Sequence, residues 1–275
     1  MNKNVTKPKE RSFLRMTLGK AWFRAKRRLQ WTFSNEKFAQ IRNDAQAHEL
    51  YFSHKTPLLR KLKDVDMHLQ HNKIINLRIA AQKVNGVVLQ PNETFSYWRL
   101  IGKPTRKKGY AEGMILDKGK VTTGTGGGLC QLSNLIYWIT IHTPLTVIER
   151  HRHSFDVFPD ANRTQPFGSG ATCFYNYIDL VIKNETDGVF KLNIELCGEY
   201  LHGAWTSDTA PQFKYEVYEK DHAIQSQFWG GYTRHNIIHR KIFSTDGEEV
   251  ADEFVVENNA IMMYNPLISQ KNGHP

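Results

Sequence analysis

The sequence predicts an α+β fold with N-terminal helices, a central unit of Gly-rich loop, helix and strand, and C-terminal antiparallel strands. Apolar residues recur at helical spacing in the N-terminal part of the chain. Short runs rich in β-branched and aromatic residues, separated by Gly, Asp or Asn turns, follow Ile178. With 40% hydrophobic and 23% charged residues over 275 positions, the composition excludes collagen-like, low-complexity and wholly disordered chains.

The positive charge of the chain is concentrated at its N-terminus. The whole sequence has a formal net charge of +10, and residues 1–30 hold ten Lys or Arg against one acid, Glu10. The remaining residues hold 27 basic and 26 acidic side chains and are nearly neutral. A basic surface spread over the folded domain is therefore excluded, and we expect no nucleic acid partner.

Residues 11–33 predict a basic amphipathic helix. Its apolar stripe comprises residues three or four apart, namely Leu14, Leu18, Trp22, Ala25, Leu29 and Phe33. Basic residues surround the stripe, namely Arg15, Arg24, Lys26 and Arg28. Such a helix can lie in an anionic membrane interface, and the alternative is that the stripe packs on the protein's own core. We therefore divide the chain into an arm over residues 1–40 and a single α+β domain over residues 41–275.

We expect a cytoplasmic protein, with the arm as a candidate contact to the inner face of the membrane. No apolar h-region follows the positive start, so the arm does not read as a secretory signal. The most apolar stretch, Leu132 to Ile148, is interrupted by polar residues and Pro144, and is too short to span a bilayer.

The elements between the arm and the central unit follow from local patterns. Residues 35–71 are polar, with weak helical periodicity that Pro57 interrupts, whereas residues 74–84 predict a helix closed by Asn85 and Gly86. A turn at 90–93 leads to a short strand over 94–98, and residues 102–128 predict mainly loops. Five C-terminal strands are predicted, over residues 179–183, 190–197, 213–218, 236–243 and 253–256.

Cys130 is the candidate nucleophile. It follows Gly126, Gly127 and Gly128 and precedes an apolar-periodic segment, so a helix beginning near Leu129 places it in the first turn. The helix dipole and free N–H groups there lower a thiol pKa. The glycines can bring backbone N–H groups of residues 127–131 to an oxyanion or carboxylate. The candidate substrate-binding residues are Gly126, Gly127, Gly128, Gln131 and Ser133.

The candidate general base lies about 20 residues downstream. Read as one strand, residues 147–157 place Glu149, His151 and His153 on the same face. We assign His153 as the base for Cys130, with His151 as the alternative. Each residue also has a simpler role, because a cysteine can be a small buried hydrophobe and histidines can be solvated.

The other two cysteines and the possibility of a metal ion also bear on the candidate site. Three cysteines form no disulfide framework, and we expect Cys173 and Cys197 in the core. A zinc site at Cys130, His151 and His153 would lack a further ligand, so we expect no metal and no other cofactor.

Several blocks of the sequence resemble the VanW family. They are residues 91–96, 109–111, 126–133, 149–154 and 170–172, and the pairing of Gly-Gly-Gly-Leu-Cys-Gln with Glu-Arg-His-Arg-His-Ser is the most specific. Asn92 and Asn134 depart from the usual Gly and Thr of that pattern. The resemblance implies an association with inducible glycopeptide resistance, in which cell-wall precursors are remodelled to end in D-Ala-D-Lac, but it implies no particular biochemical activity.

Two functions follow. The first is an accessory protein of vancomycin resistance that acts as a cysteine-dependent hydrolase or acyltransferase on a cell-wall precursor. The alternative is a non-catalytic binding or scaffold protein for a small-molecule or lipid-linked precursor at the inner membrane surface. A purely structural accessory is a third reading, and the sequence leaves the oligomeric state open.

Overall fold

The computed structural model of the protein describes residues 11–42, 46–59, 66–117, 119–157 and 165–266. These residues form an α+β fold, as the sequence predicts. The helices are α1 (Phe13–Phe33), α2 (Met67–Val84), α3 (Tyr97–Ile101) and α4 (Cys130–Thr140). The strands are β1 (Lys37–Phe38), β2 (Gln40–Ile41), β3 (Glu49–Pro57), β4 (Val87–Leu89), β5 (Glu93–Ser96), β6 (Glu112–Asp117), β7 (Lys120–Thr125), β8 (Thr146–Glu149), β9 (Phe155–Asp156), β10 (Val181–Lys183), β11 (Phe190–Cys197), β12 (Tyr200–Ser207), β13 (Phe213–Gln227), β14 (Gly231–Ser244) and β15 (Glu249–Met262).

The strands form three larger sheets and a hairpin. The first sheet has the order β1-β5-β10-β8, the second β2-β4-β11-β12-β3 and the third β13-β14-β15-β9. Strands β6 and β7 pair with each other in antiparallel register from Glu112–Thr125 to Asp117–Lys120. The third sheet consists mainly of long strands of 14 or 15 residues, and its pairing is antiparallel except between β15 and β9.

Helix α4 lies in the centre of the fold. Eight of its 11 residues are buried, namely Leu132, Ser133 and the six residues of 135–140. Gly203 on β12 leaves room for Leu135, because a Cβ there would lie 3.0 Å from that side chain. Trp205 Nε1 donates to Thr140 Oγ1 at 3.0 Å at the other end of the helix. A helix that is buried nearly all round is fixed by its neighbours, so the position of Cys130 at its start is also fixed.

The predicted helices are present, and several strands were not foreseen. Helices α1, α2 and α4 confirm the helical patterns, and Asn85 caps α2 ahead of Gly86 at φ +78°. The weak helical pattern over residues 35–71 was misleading, since β3 lies there and pairs with β12. The β6–β7 hairpin occupies the region predicted as loops, and β12 was not predicted at all.

The prediction of one continuous strand over residues 147–157 is wrong. Strand β8 ends at Glu149 and β9 begins only at Phe155. The chain leaves the sheet because the Arg150 guanidinium turns to the carbonyls of Gly168 and Gly170, and because the His151 carbonyl accepts from Thr172 N at 2.8 Å. His151 and His153 therefore do not lie on one strand face.

Cys197 also departs from its expected place. It is the last residue of β11 and is exposed, whereas Cys173 is buried as expected. Within the described residues, we find no helix that has both the length and the apolar character needed to cross a membrane.

Candidate functional site

The sulfur of Cys130 points toward the loop that carries Cys173 and not toward an imidazole. Cys130 begins α4 and is partly exposed, and its Sγ donates to the Cys173 carbonyl at 3.8 Å. Neither His151 nor His153 forms a hydrogen bond with this sulfur, and both rings belong to the described part of the chain. The structure therefore does not join the predicted nucleophile and base by a hydrogen bond.

The pKa of the Cys130 thiol moves in the direction opposite to the one expected from its helix position. Burial raises the pKa, and hydrogen bonds to backbone groups of Cys173 and of Cys130 itself oppose the rise without cancelling it. Burial also raises the pKa of the neighbouring Cys173 thiol, with a further increase from the charge of Cys130. Desolvation thus outweighs the backbone hydrogen bonds, and the neutral thiol is the favoured form near neutral pH.

The three glycines before Cys130 are packed against the protein's own atoms. A Cβ on Gly126 would lie 2.6 Å from Pro104 Cβ, and a Cβ on Gly128 would lie 2.8 Å from Lys73 Cδ. A Cβ on Gly127 would overlap the backbone of Gly113 on β6. Gly126 and Gly128 also have φ values of +79° and +89°, which other residues rarely adopt. Close packing therefore accounts for the three glycines, and their role in substrate binding stays a prediction.

The backbone N–H groups of the loop are only partly available to a ligand. Gly127 N donates to Gly124 O and Gln131 N donates to Gly128 O, at 3.0 and 3.1 Å. The sequence predicts that both of these N–H groups face an oxyanion. The N–H groups of Gly128 and Leu129 have no acceptor among the described residues, as is usual at the start of a helix.

Gln131 and Ser133 also have structural partners. Gln131 Nε2 donates to Thr56 Oγ1 and to the Pro57 carbonyl, at 3.0 and 2.9 Å, and so ties α4 to the end of β3. Ser133 is fully buried, and its Oγ lies 2.7 Å from the Ala171 carbonyl. Direct ligand contact by Ser133 would require the loop at Ala171 to move.

His151 belongs to a different cluster, whose centre is Glu149. The Glu149 carboxylate accepts from His151 Nε2 at 2.9 Å, from the Arg27 guanidinium at 2.6 and 2.7 Å, and from Asp179 N at 3.2 Å. Burial works against ionisation of Glu149, but the contacts with His151 and Arg27 lower its pKa overall. The sequence pattern predicts Glu149 and His151 on one face, but no local signal predicts that Arg27 of α1 lies beside them.

Asp179 is the buried carboxyl next to this cluster. Its Oδ2 accepts from Ser96 Oγ at 2.6 Å, and its Oδ1 accepts from the N–H groups of Trp98 and Leu180. Burial raises the pKa of Asp179 to about 6 despite these hydrogen bonds. Its position between β5, α3 and β10 makes it a structural carboxyl, and no local sequence pattern points to it.

His153 is partly buried and lies beside Arg152. Burial lowers the pKa of His153, and the positive charge of Arg152 lowers it further. A neutral imidazole could act as a base if a proton donor were close by. Among the described residues, however, no hydrogen bond joins this ring to a thiol or a carboxylate. The role of His153 as a base stays a prediction.

An open groove lies on the outer face of the second sheet. It has a volume of about 810 Å³ and is lined by residues of β3, β11 and β12 together with Asn85. The strand register aligns Lys55, His202 and Glu195 across three adjacent strands. Its volume falls in the range of small-molecule sites, and it offers a cation, an imidazole and a carboxylate. The described residues contain no group of three or more His, Cys, Asp or Glu side chains placed to hold a metal ion.

Comparison with known proteins identifies the central part of the chain. Residues 72–206 match the family model described as VanW like protein. The chain is 37% identical over 180 residues to the vancomycin B-type resistance protein VanW of Enterococcus faecalis, and the match covers 66% of this chain and 66% of that protein. It is 35% identical over 82 residues to the uncharacterized protein YoaR of Bacillus subtilis, covering 30% and 27% of the two chains. No solved structure shows a significant match. The chain therefore belongs to the VanW-like family.

Proposed function

We propose that this protein is an accessory protein of vancomycin resistance that binds a cell-wall precursor and does not use Cys130 as a nucleophile. The 37% identity to the Enterococcus faecalis protein supports the link to resistance. The choice of binding over catalysis depends on the environment of the Cys130 sulfur. The Cys130 sulfur donates to the Cys173 carbonyl, burial raises its pKa, and neither candidate imidazole is bonded to it.

The groove on the second sheet supports the binding role. Lys55 and Glu195 present opposite charges on either side of His202, and Lys55 is held by Tyr200, whose ring lies 4.6 Å from Nζ. A peptide that carries both carboxylate and amine groups can pair with this arrangement. The stem peptide of a cell-wall precursor has that chemistry, and the open shape of the groove suits an extended ligand.

Calorimetric titration of the purified protein with a synthetic stem pentapeptide ending in D-Ala-D-Lac tests the binding role. We expect measurable binding that Lys55→Ala weakens about tenfold, because a charged hydrogen-bond partner is lost. Lys214→Ala removes an exposed lysine of β13 outside the groove and serves as the matched control. If the wild-type protein does not bind the peptide, or if both variants behave alike, the assignment to the groove is wrong.

A susceptibility assay separates binding from catalysis in cells. In a strain that carries the other resistance genes, deletion of this protein is expected to lower the inhibitory concentration of vancomycin. Both the wild-type chain and Cys130→Ala are expected to restore it. Loss of restoration in a folded Cys130→Ala variant would favour the Cys130–His153 enzyme. If deletion has no effect, the link to resistance is contradicted.

A further inference from the structure

Among the described residues, helix α1 contacts the rest of the protein through one face. Arg27 binds Glu149 and also the Tyr177 carbonyl, and Arg24 Nε donates to the Tyr175 carbonyl at 3.2 Å. Phe23 stacks on Tyr177 with ring centroids 5.9 Å apart. Several independent contacts therefore hold the orientation of this helix about its own axis.

The apolar stripe of α1 lies on the opposite face. At 100° per residue, Leu18, Trp22 and Leu29 project roughly opposite to Arg27. The large side chains of the stripe are 57–77% exposed, namely Leu14, Leu18, Trp22, Leu29 and Phe33. None of the residues of α1 is buried. The stripe therefore does not pack on the core, which removes the alternative that the sequence had left open.

Cations border the exposed stripe. Helix α1 contains six Lys or Arg and no Asp or Glu. Arg15 and Lys26 project on one side of the stripe and Arg28 on the other. No carboxylate in the part of the chain that the structure describes pairs with any of these three side chains. The stripe and its border together form one apolar and positively charged surface.

We propose that this surface of α1 docks on an anionic lipid bilayer, with the stripe in the headgroup–acyl boundary and the cations among the lipid phosphates. A second copy of α1 is a poor occupant, since each stripe would bring three bordering cations to the contact and α1 contains no acid to pair with them. An anionic bilayer supplies both an apolar phase and negative charge, and a helix of this kind binds in the plane of the interface.

The face of α1 that contacts the protein determines which part of the molecule membrane binding would hold near the lipid. Because Arg27 is bonded to Glu149, and Glu149 to His151, the Glu149 cluster is tied directly to the helix that contacts lipid. Membrane binding would hold that cluster about one helix diameter from the lipid surface, roughly 10 Å. The proposal does not depend on the binding function assigned to the groove.

Vesicle flotation of the full chain tests the proposal. With phosphatidylcholine vesicles that contain about 30 mol% phosphatidylglycerol, we expect the protein to float, and with phosphatidylcholine alone to bind weakly. The double variant Leu18→Ser/Trp22→Ser is expected to reduce the partition coefficient about tenfold or more, because two large apolar side chains no longer enter the interface. The variants Lys26→Gln and Arg28→Gln are each expected to weaken binding about fivefold at low salt.

Two controls keep the test specific. Phe254→Ser removes a side chain that is 62% exposed on β15, and it is expected to float like the wild type. The thermal midpoint of the stripe variants should match that of the wild type, because the replaced side chains face solvent. If the wild type does not float with anionic vesicles, the proposal is overturned. It is equally overturned if light scattering shows that the wild type is a dimer and the Leu18→Ser/Trp22→Ser variant is a monomer.

Discussion

Gly127→Ala tests whether the glycine run serves packing. Gly127 faces Gly113 of β6 across a backbone-to-backbone contact, and a Cβ placed on Gly113 would itself lie only 2.7 Å from Gly127 O. A Cβ on Gly127 would come closer than 3.0 Å to three backbone atoms of Gly113. The hairpin must then move away from the loop, since no side chain can rotate to relieve the overlap.

The size of the effect follows from that geometry. Overpacking in a close-packed interior costs about 1–3 kcal/mol, and the rigid backbone partner places Gly127→Ala at about 3 kcal/mol. For a chain of this size the midpoint of thermal unfolding would fall by about 6–12 °C. Urea denaturation followed by circular dichroism measures the same loss of unfolding free energy.

Gly124→Ala is the matched control on β7. A Cβ there meets only the flexible end of Ile115, 3.0 Å away, so we expect a change in unfolding free energy within about 1 kcal/mol. If Gly127→Ala is as stable as Gly124→Ala, the close approach to Gly113 does not explain the glycine.

Two further predictions concern the Glu149 cluster and its buried neighbour. Arg27→Ala is expected to destabilise the protein by about 1–2 kcal/mol in urea denaturation and to raise the pKa of Glu149, because the carboxylate loses a cation at 2.6 Å. Arg15→Ala, an exposed cation of the same helix, should leave both quantities unchanged, and equal effects of the two variants would contradict the role of the ion pair. Asp179 has a folded-state pKa of about 6 against an ordinary value of 3.8, so the folded state binds the proton more tightly and stability falls as the pH rises from about 4 to about 6. The wild type should lose on the order of 3 kcal/mol of unfolding free energy across this window, and Asp179→Asn should not. The difference in unfolding free energy between the two proteins should therefore change with pH, and a difference that stays constant would refute the prediction.

Local patterns predicted the helices well but not the direction in which α1 faces. Spacing alone placed Leu18 and Trp22 on one stripe, and the structure confirms the helix. Whether that stripe meets the core or solvent depends on contacts of Arg24 and Arg27 with residues more than 120 positions away. No window of sequence contains that information, because the pairing is set by the fold of the whole domain.

The missed strands have a physical explanation. Strand β7 contains Thr122–Thr125 with a glycine among them, so it carries little apolar alternation and resembles a loop. It is ordered by pairing with β6, which in turn contacts α2 through Asn72 and Glu112. The alternation of Leu201, Gly203 and Trp205 was a usable signal for β12, since these residues are buried and their neighbours are partly exposed.

The position of Cys130 at a helix start was predictable from the sequence, but its pKa and its neighbours were not. The prediction that Cys130 begins a helix is confirmed, but its expected low pKa depended on a dipole acting without competition. In the structure the thiol is desolvated between α4 and the loop that carries Cys173. The predicted partner residues were placed by assuming an unbroken strand, and the turn at Arg150 ends that strand.

The pH dependence of Cys130 alkylation tests the central claim that this thiol is not an activated nucleophile. Iodoacetamide modification would be followed by mass spectrometry in a Cys197→Ser background, since Cys197 is exposed and would react first. We predict a midpoint above that of an ordinary exposed thiol, and one that His153→Ala does not move, because burial raises the pKa of the Cys130 thiol. A midpoint below about pH 8 that shifts in His153→Ala would contradict the account and restore the Cys130–His153 pair as a catalytic site.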